Sequence, residues 1–272
     1  MKRHNYLALS LAAVITASTS CSKSEPEPCT TITIEPLTAC CAYRLEGSAG
    51  DFNSDSDLVW LDTVAIMMPT VIYDNDVEPL RRAILGAAFG SDTIQSDVEI
   101  SSLMGGCAID AGYDTLHIAV TADMATSSDG LHSISGNICS LTPTLLTYRI
   151  NSYTYMPRAA HGMYTNTYIT YDISKGDIIT LEDIFTAEGL EALPALIARQ
   201  ARRMASILGT TRITALPVDG NFYIDLDGTL AFIYQPYEVA SYAQGEIAVP
   251  FYPYKLSEHM TPRGLALFGL DN

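Results

Sequence analysis

One histidine in the second half of the chain has the surroundings of a candidate catalytic group. His161 lies in "SYTYMPRAAHGMYTNTYITYD", residues 152–172, between two stretches that alternate like β-strands. An imidazole titrates near neutral pH, so it could act as a general base beside a carboxylate such as Glu238 or Asp172. Acid–base enzymes also need an activated partner, and the sequence contains neither G-x-S-x-G nor H-E-x-x-H. We therefore expect His161 to order a turn through hydrogen bonds, with catalysis as the alternative.

A second candidate site is the acidic stretch "DFNSDSDLVWLD", which follows a calcium-loop template. Oxygen-bearing side chains stand at positions 1, 3, 5, 7 and 12 of that template, namely Asp51, Asn53, Asp55, Asp57 and Asp62. Against calcium, Ser56 replaces the glycine of the sharp turn, and Asp62 is shorter than the usual bidentate glutamate. We expect a solvated loop between strands and no cofactor, with calcium binding as the alternative.

Tyrosines near the C-terminus form a third candidate. Six of them lie between residues 223 and 254: Tyr223, Tyr234, Tyr237, Tyr242, Tyr252 and Tyr254. Stacked on a sugar they would form a glycan platform, but on alternating strands tyrosines more often pack a core with the hydroxyl at its edge. The core role is therefore our prediction.

The N-terminus predicts export. Lys2 and Arg3 precede about a dozen mostly apolar residues, which is shorter than the roughly 20 of a membrane span. Cys21 follows small residues, as in a lipobox, so residues 1–20 are predicted to be a lipoprotein signal peptide and Cys21 the lipidated residue. An ordinary signal peptide cut nearby is the alternative. Residues 21–37 are rich in Ser, Glu and Pro and predict a tether, giving a bacterial envelope protein on the periplasmic or outer face.

The charge and the cysteines exclude several classes of partner and site. The chain has 15 basic and 31 acidic residues and a formal net charge of −16; losing Lys2 and Arg3 with the signal leaves 13 basic residues, or −18. Nucleic acid would repel such a chain, whereas basic partners would attract it. There is no C-x-x-C, so neither a redox motif nor a zinc knuckle is indicated. The pairing of any disulfides stays open among Cys29, Cys40, Cys41, Cys107 and Cys139.

The elements that position these residues predict an α+β fold. Residues 58–73 and 145–155 alternate like strands, and the spacing of Val77, Leu80, Ile84 and Ala87 predicts one helical face that ends at Gly90. The predicted strands and helices do not alternate along the chain, so the sequence does not predict a parallel sheet. We expect two small domains, residues 38–149 and 150–272, each of antiparallel strands, with two or three helices packed on them.

The second half contains local sequence patterns that predict a helix cap, a long helix and a hairpin. Thr180 stands three residues before Asp183, close to a capping box. An apolar stripe from Leu193 to Leu208 predicts the longest helix. Asp227-Gly228 between two alternating runs predicts a hairpin whose two turn residues both have positive φ.

Two motifs in this half resemble a known family. Ala160-His161-Gly162 precedes a strand and the "TLEDIF" helix start, and "PYEVASYAQG", residues 236–245, follows the hairpin. In this pattern, over about residues 150–258, the chain resembles the RsiV-like family, domain-of-unknown-function family 3298. The signature positions are His161, Gly162, Pro236, Tyr237, Glu238, Tyr242 and Gly245. Arg158-Ala159 departs from the two glycines often found before the Ala-His of that family. Residues 38–130 are similar, in the order of their elements, to companion family 4163.

The resemblance implies a binding role. Members of that family include the outer region of an anti-sigma factor that binds lysozyme and the accessory part of some peptidoglycan deacetylases, whose His/Asp metal motifs this chain lacks. We therefore expect a non-enzymatic envelope lipoprotein that binds a lysozyme-like basic protein or peptidoglycan. The alternatives are a cell-wall glycan-modifying enzyme that uses His161 with a carboxylate, and a purely structural envelope protein.

Overall fold

Strands dominate the described residues up to residue 180, and helices cover one face of the sheet that these strands form. The computed structural model describes residues 31–46, 58–73, 75–91, 97–110, 112–204 and 213–271, and it is α+β as predicted. The strands are β1 (Ile32–Glu46), β2 (Val59–Ile72), β3 (Asn75–Asp76), β4 (Asp114–Ile118), β5 (Gly130–Leu141), β6 (Leu145–Tyr155), β7 (Met163–Asp172), β8 (Asp177–Ile179), β9 (Phe222–Ile224), β10 (Leu230–Tyr234) and β11 (Ile247–Phe251). The helices are α1 (Glu78–Phe89), α2 (Asp97–Leu103), α3 (Gly106–Asp110), α4 (Met124–Ser127), α5 (Leu181–Ile184), α6 (Ala187–Arg203) and α7 (Pro262–Leu267).

The strands form two sheets. The large sheet has the order β4-β1-β2-β5-β6-β7-β8, with β3 beside β2, and the small sheet has the order β11-β10-β9. The pairs are antiparallel except for β2 and β5, which run parallel from Trp60 beside Gly130 to Ile66 beside Gly136. The predicted antiparallel strands are confirmed, and this one pair in the large sheet is parallel. The chain between the two strands contains α1 to α4 and β4, which is long enough for the crossover that a parallel pair requires.

Residues 32–37 do not belong to a tether. They form the first part of β1, which pairs with β2 from Ile32 beside Ile72 onward. The alternating apolar residues of "ITIEPL" explain this, because one apolar face lets the segment join a sheet despite its proline. Pro69 of β2 lies beyond the segment paired with β5 and next to a bulge in β2 itself, where Thr70 is one residue more than β1 has, and a residue without an N–H is tolerated there.

Each of the two sheets has its own hydrophobic core. The first lies between the large sheet and α1, where Val77, Leu80 and Ile84 are fully buried, whereas Ala87, predicted on the same helical face, is exposed. The second lies between the small sheet and α6, and Leu193, Ile197 and Ala201 supply its helical side.

The boundary predicted between residues 149 and 150 falls inside β6. This strand pairs with both β5 and β7 across that point, so the start of the second predicted domain shares the large sheet with the first. The core of the small-sheet unit begins with Ile179, at the end of β8. Two packed units are therefore present, but the change from one to the other comes about 30 residues later than predicted.

The capping box and the hairpin predicted from local sequence patterns both lie in this second unit. Thr180 and Asp183 form the predicted capping box at the start of α5. The β9–β10 hairpin lies where it was predicted, but Gly228 has φ 77° whereas Asp227 does not have a positive φ. Gly228 N donates to Asp225 O at 3.0 Å, so the loop is a type I turn followed by a left-handed glycine rather than a two-residue turn.

Most of the predictions for the N-terminus concern residues that lie outside the described ranges, whereas four of the cysteines are described. Residues 1–30, with the predicted signal peptide and Cys21, lie outside the described residues. Cys29 lies there too, and the four cysteines that are described, Cys40, Cys41, Cys107 and Cys139, carry free thiols. Among the described helices none has the length and apolar character needed to cross a membrane.

Candidate functional site

His161 stacks with two tyrosines of the second signature motif. Its ring lies 4.1 Å from that of Tyr242, centroid to centroid, with an interplanar angle of 18°. The Tyr237 ring packs against these two rings, with its centroid 5.6 Å from that of Tyr242 and 6.3 Å from that of His161. We call these three residues the His161 cluster; it joins the loop before β7 to the loop after β10, as offset stacking of aromatic rings allows.

The hydrogen bonds of His161 fix its tautomer. Nδ1 lies 2.9 Å from the carbonyl oxygen of Gly162, which can only accept, so Nδ1 carries a proton. Nε2 lies 3.3 Å from the hydroxyl of Tyr237 and can accept from it. Burial and the neighbouring phenols raise the pKa of Tyr242, so that ring stays neutral in the stack. Both ring nitrogens of His161 thus have a partner, and neither partner is a carboxylate.

Two turns of the same kind flank the His161 cluster. In Met156-Pro157-Arg158-Ala159, Ala159 N donates to Met156 O at 3.0 Å and Arg158 has φ 64°. This is the pattern of a type II turn, which has proline second and favours glycine third. A glycine would fit this position, and Arg158 adopts the same left-handed conformation without being glycine.

The second turn displays Tyr237. Glu238 N donates to Gln235 O at 3.0 Å, Pro236 is second and Tyr237, third, has φ 69°. A bulky residue rarely adopts a positive φ, and such strain costs of order 1–3 kcal/mol. The result is a tyrosine with 56% of its surface exposed, at a fixed position on the protein.

The Glu238 carboxylate holds this turn together. Oε2 accepts from Gln235 N at 2.7 Å, inside the turn, and Oε1 accepts from Val218 N at 2.8 Å, across to the neighbouring loop. Asp172, the other carboxylate considered as a partner of His161, is buried and accepts from Ser174 N at 3.0 Å and Lys175 N at 3.1 Å. Both carboxylates therefore accept from backbone N–H groups.

The two signature glycines are places of close approach. A Cβ on Gly162 would overlap the Tyr153 ring, so a side chain there would displace that ring. Gly245 has φ 67°, and a Cβ on it would lie 2.9 Å from the Tyr164 hydroxyl. These glycines let both motifs pack against the tyrosines of β6 and β7.

Asn166 of β7 anchors the second motif, and sequence reasoning did not find it. Its N–H donates to Gln235 Oε1 at 3.0 Å, and its carbonyl accepts from Gln235 Nε2 at 2.6 Å and from Asn221 Nδ2 at 2.8 Å. Its own amide donates to Glu246 Oε2 at 2.7 Å. The side chains of Gln235 and Asn221 thus replace a neighbouring strand at the free edge of β7. The signal is the Asn-x-Tyr on a strand, which is too common to predict such a role.

Asp62, the last residue of the calcium template, lies in a buried cluster of the large sheet. Only 1% of it is exposed, and its carboxylate accepts from Trp60 Nε1 at 2.6 Å and from the Gly105 N–H. His132, its direct neighbour on β5, lies with Nδ1 3.5 Å from Asp62 Oδ1. Burial opposes the charged imidazole, but hydrogen bonds to Asp62 and Cys107 and their charges raise the pKa of His132 to about 9.

The remaining members of the calcium template, Asp51, Asn53, Asp55 and Asp57, lie outside the described residues. Within the described ranges no group of three or more His, Cys, Asp or Glu side chains is arranged to hold a metal ion. Calcium binding at this loop stays a prediction.

The six tyrosines do not share one environment. Tyr234 is buried, with its hydroxyl donating to Ala215 O at 2.8 Å, in the way predicted for the group. Tyr237, Tyr252 and Tyr254 are more than half exposed, and the last two stack on each other. The core prediction is therefore wrong for these three, because they lie in turns rather than on the strands.

Comparison with known proteins supports the family resemblance in part. Residues 182–252 match the family described as "Protein of unknown function (DUF3298)", so a DUF3298 domain is present in this segment. A crystal structure of a DUF3298 family member from Bacteroides fragilis NCTC 9343 is similar, with a TM-score of 0.63 and 18% identity over 90% of this chain and 99% of that one. A DUF3298 family protein from Pseudomonas aeruginosa PAO1 has a TM-score of 0.51 and 13% identity, over 85% and 95% of the two chains. No curated protein matches the chain. At these identities the structural similarity establishes the fold alone.

Proposed function

We propose that this chain is a non-enzymatic binding module of the bacterial cell envelope. In this proposal residues 1–20 are a signal peptide, Cys21 carries the lipid anchor, the second half is an RsiV-like domain and the first half is related to companion family 4163. The matched DUF3298 segment supports the family part of the proposal.

The observation that carries the binding role is the strained, exposed Tyr237. Backbone strain outside glycine persists where a function requires it, and it is concentrated at ligand-binding sites. Tyrosine is also among the residues that contribute most to the affinity of protein interfaces, since it buries a large rigid surface at little cost in side-chain entropy. His161 and Tyr242 support its ring, and Glu238 closes its turn.

The ligand that we propose first is a lysozyme-like basic protein. The formal net charge of −16 would steer a cationic protein toward this chain and increase its association rate at low salt. The exposed Tyr237 ring then gives the encounter a specific contact. Peptidoglycan, whose sugars could stack on the same rings, is the second ligand to be tested.

The experiment is a titration of hen egg-white lysozyme by calorimetry at low and physiological salt. We expect saturable binding that weakens as salt rises. Tyr237→Ala should weaken it about tenfold or more, as for an interface hot spot. Tyr252→Ala is the matched control, since Tyr252 is similarly exposed, at 62% against 56%, and lies outside the His161 cluster.

The outcomes separate the alternatives. Equal weakening in the two variants would refute a binding surface at the His161 cluster, and absence of lysozyme binding would refute that ligand. Sedimentation with purified peptidoglycan tests the second ligand with the same pair of variants. Release of acetate or reducing sugar from peptidoglycan that is lost in His161→Ala would establish the enzyme instead. No saturable binding to either material would leave a structural envelope protein.

A further inference from the structure

A cysteine, a histidine and an aspartate lie together where the short helix α3 meets the large sheet. Asp62 on β2 and His132 on β5 are direct neighbours in the sheet, and His132 Nδ1 lies 3.5 Å from Asp62 Oδ1. The imidazole also forms a hydrogen bond with the thiol of Cys107 on α3. A carboxylate, an imidazole and a thiol in this order can activate the sulfur as a nucleophile, and the binding role proposed above uses none of these three residues.

The backbone around Cys107 fixes its position over the sheet. Two residues before it, the Gly105 N–H donates to the Asp62 carboxylate. Directly after it, Ala108 is fully buried in the core cluster that also contains Trp60. Cys107 is therefore held from both sides next to the imidazole, whereas the residue itself remains partly exposed.

The proton of the Cys107 thiol can pass to the imidazole. With the proton on sulfur the pair is neutral, and with the proton on the ring it is a thiolate beside an imidazolium. The Asp62 carboxylate favours the second form, because its negative charge lies next to the ring. The pKa of His132, which is raised to about 9, agrees with a ring that keeps its proton. The thiolate is the reactive form of a cysteine.

The other described thiols are less suited to react. Cys41 is buried. Cys40 and Cys139 are more exposed than Cys107, but partial burial of their thiols raises their pKa, so a smaller fraction of each is present as thiolate. Exposure alone would therefore predict that Cys40 and Cys139 react first, whereas the hydrogen bond to His132 predicts that Cys107 does.

The reagent that fits this site is small and uncharged. Only 17% of the His132 side chain is exposed, so a bulky reagent would not reach the sulfur beside it. The formal net charge of −16 repels anionic reagents. Hydrogen peroxide meets both conditions. Its leaving oxygen also needs a proton, which an imidazolium next to the sulfur can supply.

We propose that Cys107 is a peroxide-sensitive thiol whose oxidation is assisted by His132 and positioned by Asp62. The thiolate attacks one oxygen of hydrogen peroxide, the O–O bond breaks as the S–O bond forms, and the leaving hydroxide takes a proton from His132. The sulfur is oxidised by two electrons to a sulfenic acid, and the peroxide is reduced with release of one water. The site goes beyond the binding role proposed for the His161 cluster, and either one can fail without the other.

The test ranks the thiols of the intact, fully reduced protein by their rates. Hydrogen peroxide is added with an excess of dimedone, which traps sulfenic acids, and the adducts are mapped by mass spectrometry. Alkylation by iodoacetamide, which is also small and uncharged, gives a second ranking. We expect Cys107 to react at least about tenfold faster than Cys40 and Cys139 in both. Equal rates, or faster reaction of the two exposed thiols, would overturn the proposal. Fast alkylation of Cys107 without oxidation would refute peroxide as its reagent.

His132→Gln and His117→Gln form a matched pair of variants. Both remove a histidine from the large sheet, but His117 packs edge-on against the Tyr43 ring, at 5.2 Å between centroids. We expect His132→Gln to slow the oxidation of Cys107 about tenfold or more and His117→Gln to leave it unchanged. A variant that only loosened the fold would speed the reaction of Cys107 and expose Cys41, so the direction of the change separates an activating histidine from a structural one. Unchanged or faster oxidation of Cys107 in His132→Gln would refute the role of the imidazole.

Discussion

The buried pair of Asp62 and His132 should make the stability of the large-sheet core depend on pH. His132 is directly beside Asp62 in the sheet, 17% of its side chain is exposed, and its pKa is about 9 in the folded protein, whereas the ordinary pKa of a histidine is 6.5. The folded state therefore keeps the imidazole proton over a pH range in which the unfolded chain has lost it. The perturbation that we consider is His132→Gln, which removes the titrating group and retains a polar side chain.

The size of the effect follows from that difference. A pKa difference of about 2.5, at 1.36 kcal/mol per pKa unit, corresponds to about 3 kcal/mol. Because His132 is partly exposed, water screens part of this interaction, and we expect about 2 kcal/mol. The folded state binds the extra proton, so the stabilisation is complete below pH 6.5, falls as pH rises, and is lost above pH 9.

The assay is urea unfolding of wild type and His132→Gln between pH 6 and 10 under reducing conditions. Trp60 is the one tryptophan of the chain, fully buried and bonded to Asp62, so its fluorescence reports on this core. Burial also raises the pKa of Cys40 and Cys139, which favours unfolding at high pH, but both thiols are present in both proteins. The difference between the two proteins therefore isolates His132.

The free energy of unfolding should decrease from pH 6.5 to pH 9.5 by about 2 kcal/mol more in wild type than in the variant. Parallel pH profiles would refute the reasoning, because they would mean that His132 has the same pKa in the folded and unfolded states. Titration of the His132 ring by NMR gives a direct check, with a midpoint near 9 expected.

Two substitutions test the turns of the candidate site. Glu238→Gln replaces one of the two oxygens that accept from Gln235 N and Val218 N by an NH₂ group, and it should lower the free energy of unfolding by about 1–2 kcal/mol in urea titrations. An unchanged midpoint would contradict a clamping role. Arg158→Gly removes a side chain from a left-handed position and should raise thermal stability by up to about 1 kcal/mol. A loss of stability would mean that the contacts of Arg158 outweigh the strain.

Local signals predicted local structure well, whereas pairing between distant segments was not predicted. The α1 helix, the capping box at Thr180 and the position of the β9–β10 hairpin depend on residues within a few positions of one another. The parallel pairing of Trp60 with Gly130 joins segments 70 residues apart, and no short pattern encodes it. The predicted boundary at residue 150 was misplaced for the same reason, because β6 could not be assigned to a sheet before its partners were known.

The candidate site was predicted residue by residue, but its assembly was not. His161, Tyr237 and Tyr242 were recognised as members of two motifs, and the structure brings their rings together. The anchors Asn166 and Gln235 were missed, because their role exists only at the free edge of β7. Polar side chains that replace a missing strand are ordinary residues until that edge is located.

The roles of the residues in the second motif, and of Glu246 directly after it, bear on the choice between binding and catalysis. Glu238 and Glu246 both accept hydrogen bonds, Glu238 from two backbone N–H groups and Glu246 from Asn166 Nδ2. Each oxygen of the Glu238 carboxylate accepts from a backbone N–H, so this side chain holds the turn in place. What the motif presents outward is aromatic, above all Tyr237 in its strained conformation. Strain of this kind would be removed by a glycine in the third position of the turn, which is why we assign it to the display of the ring.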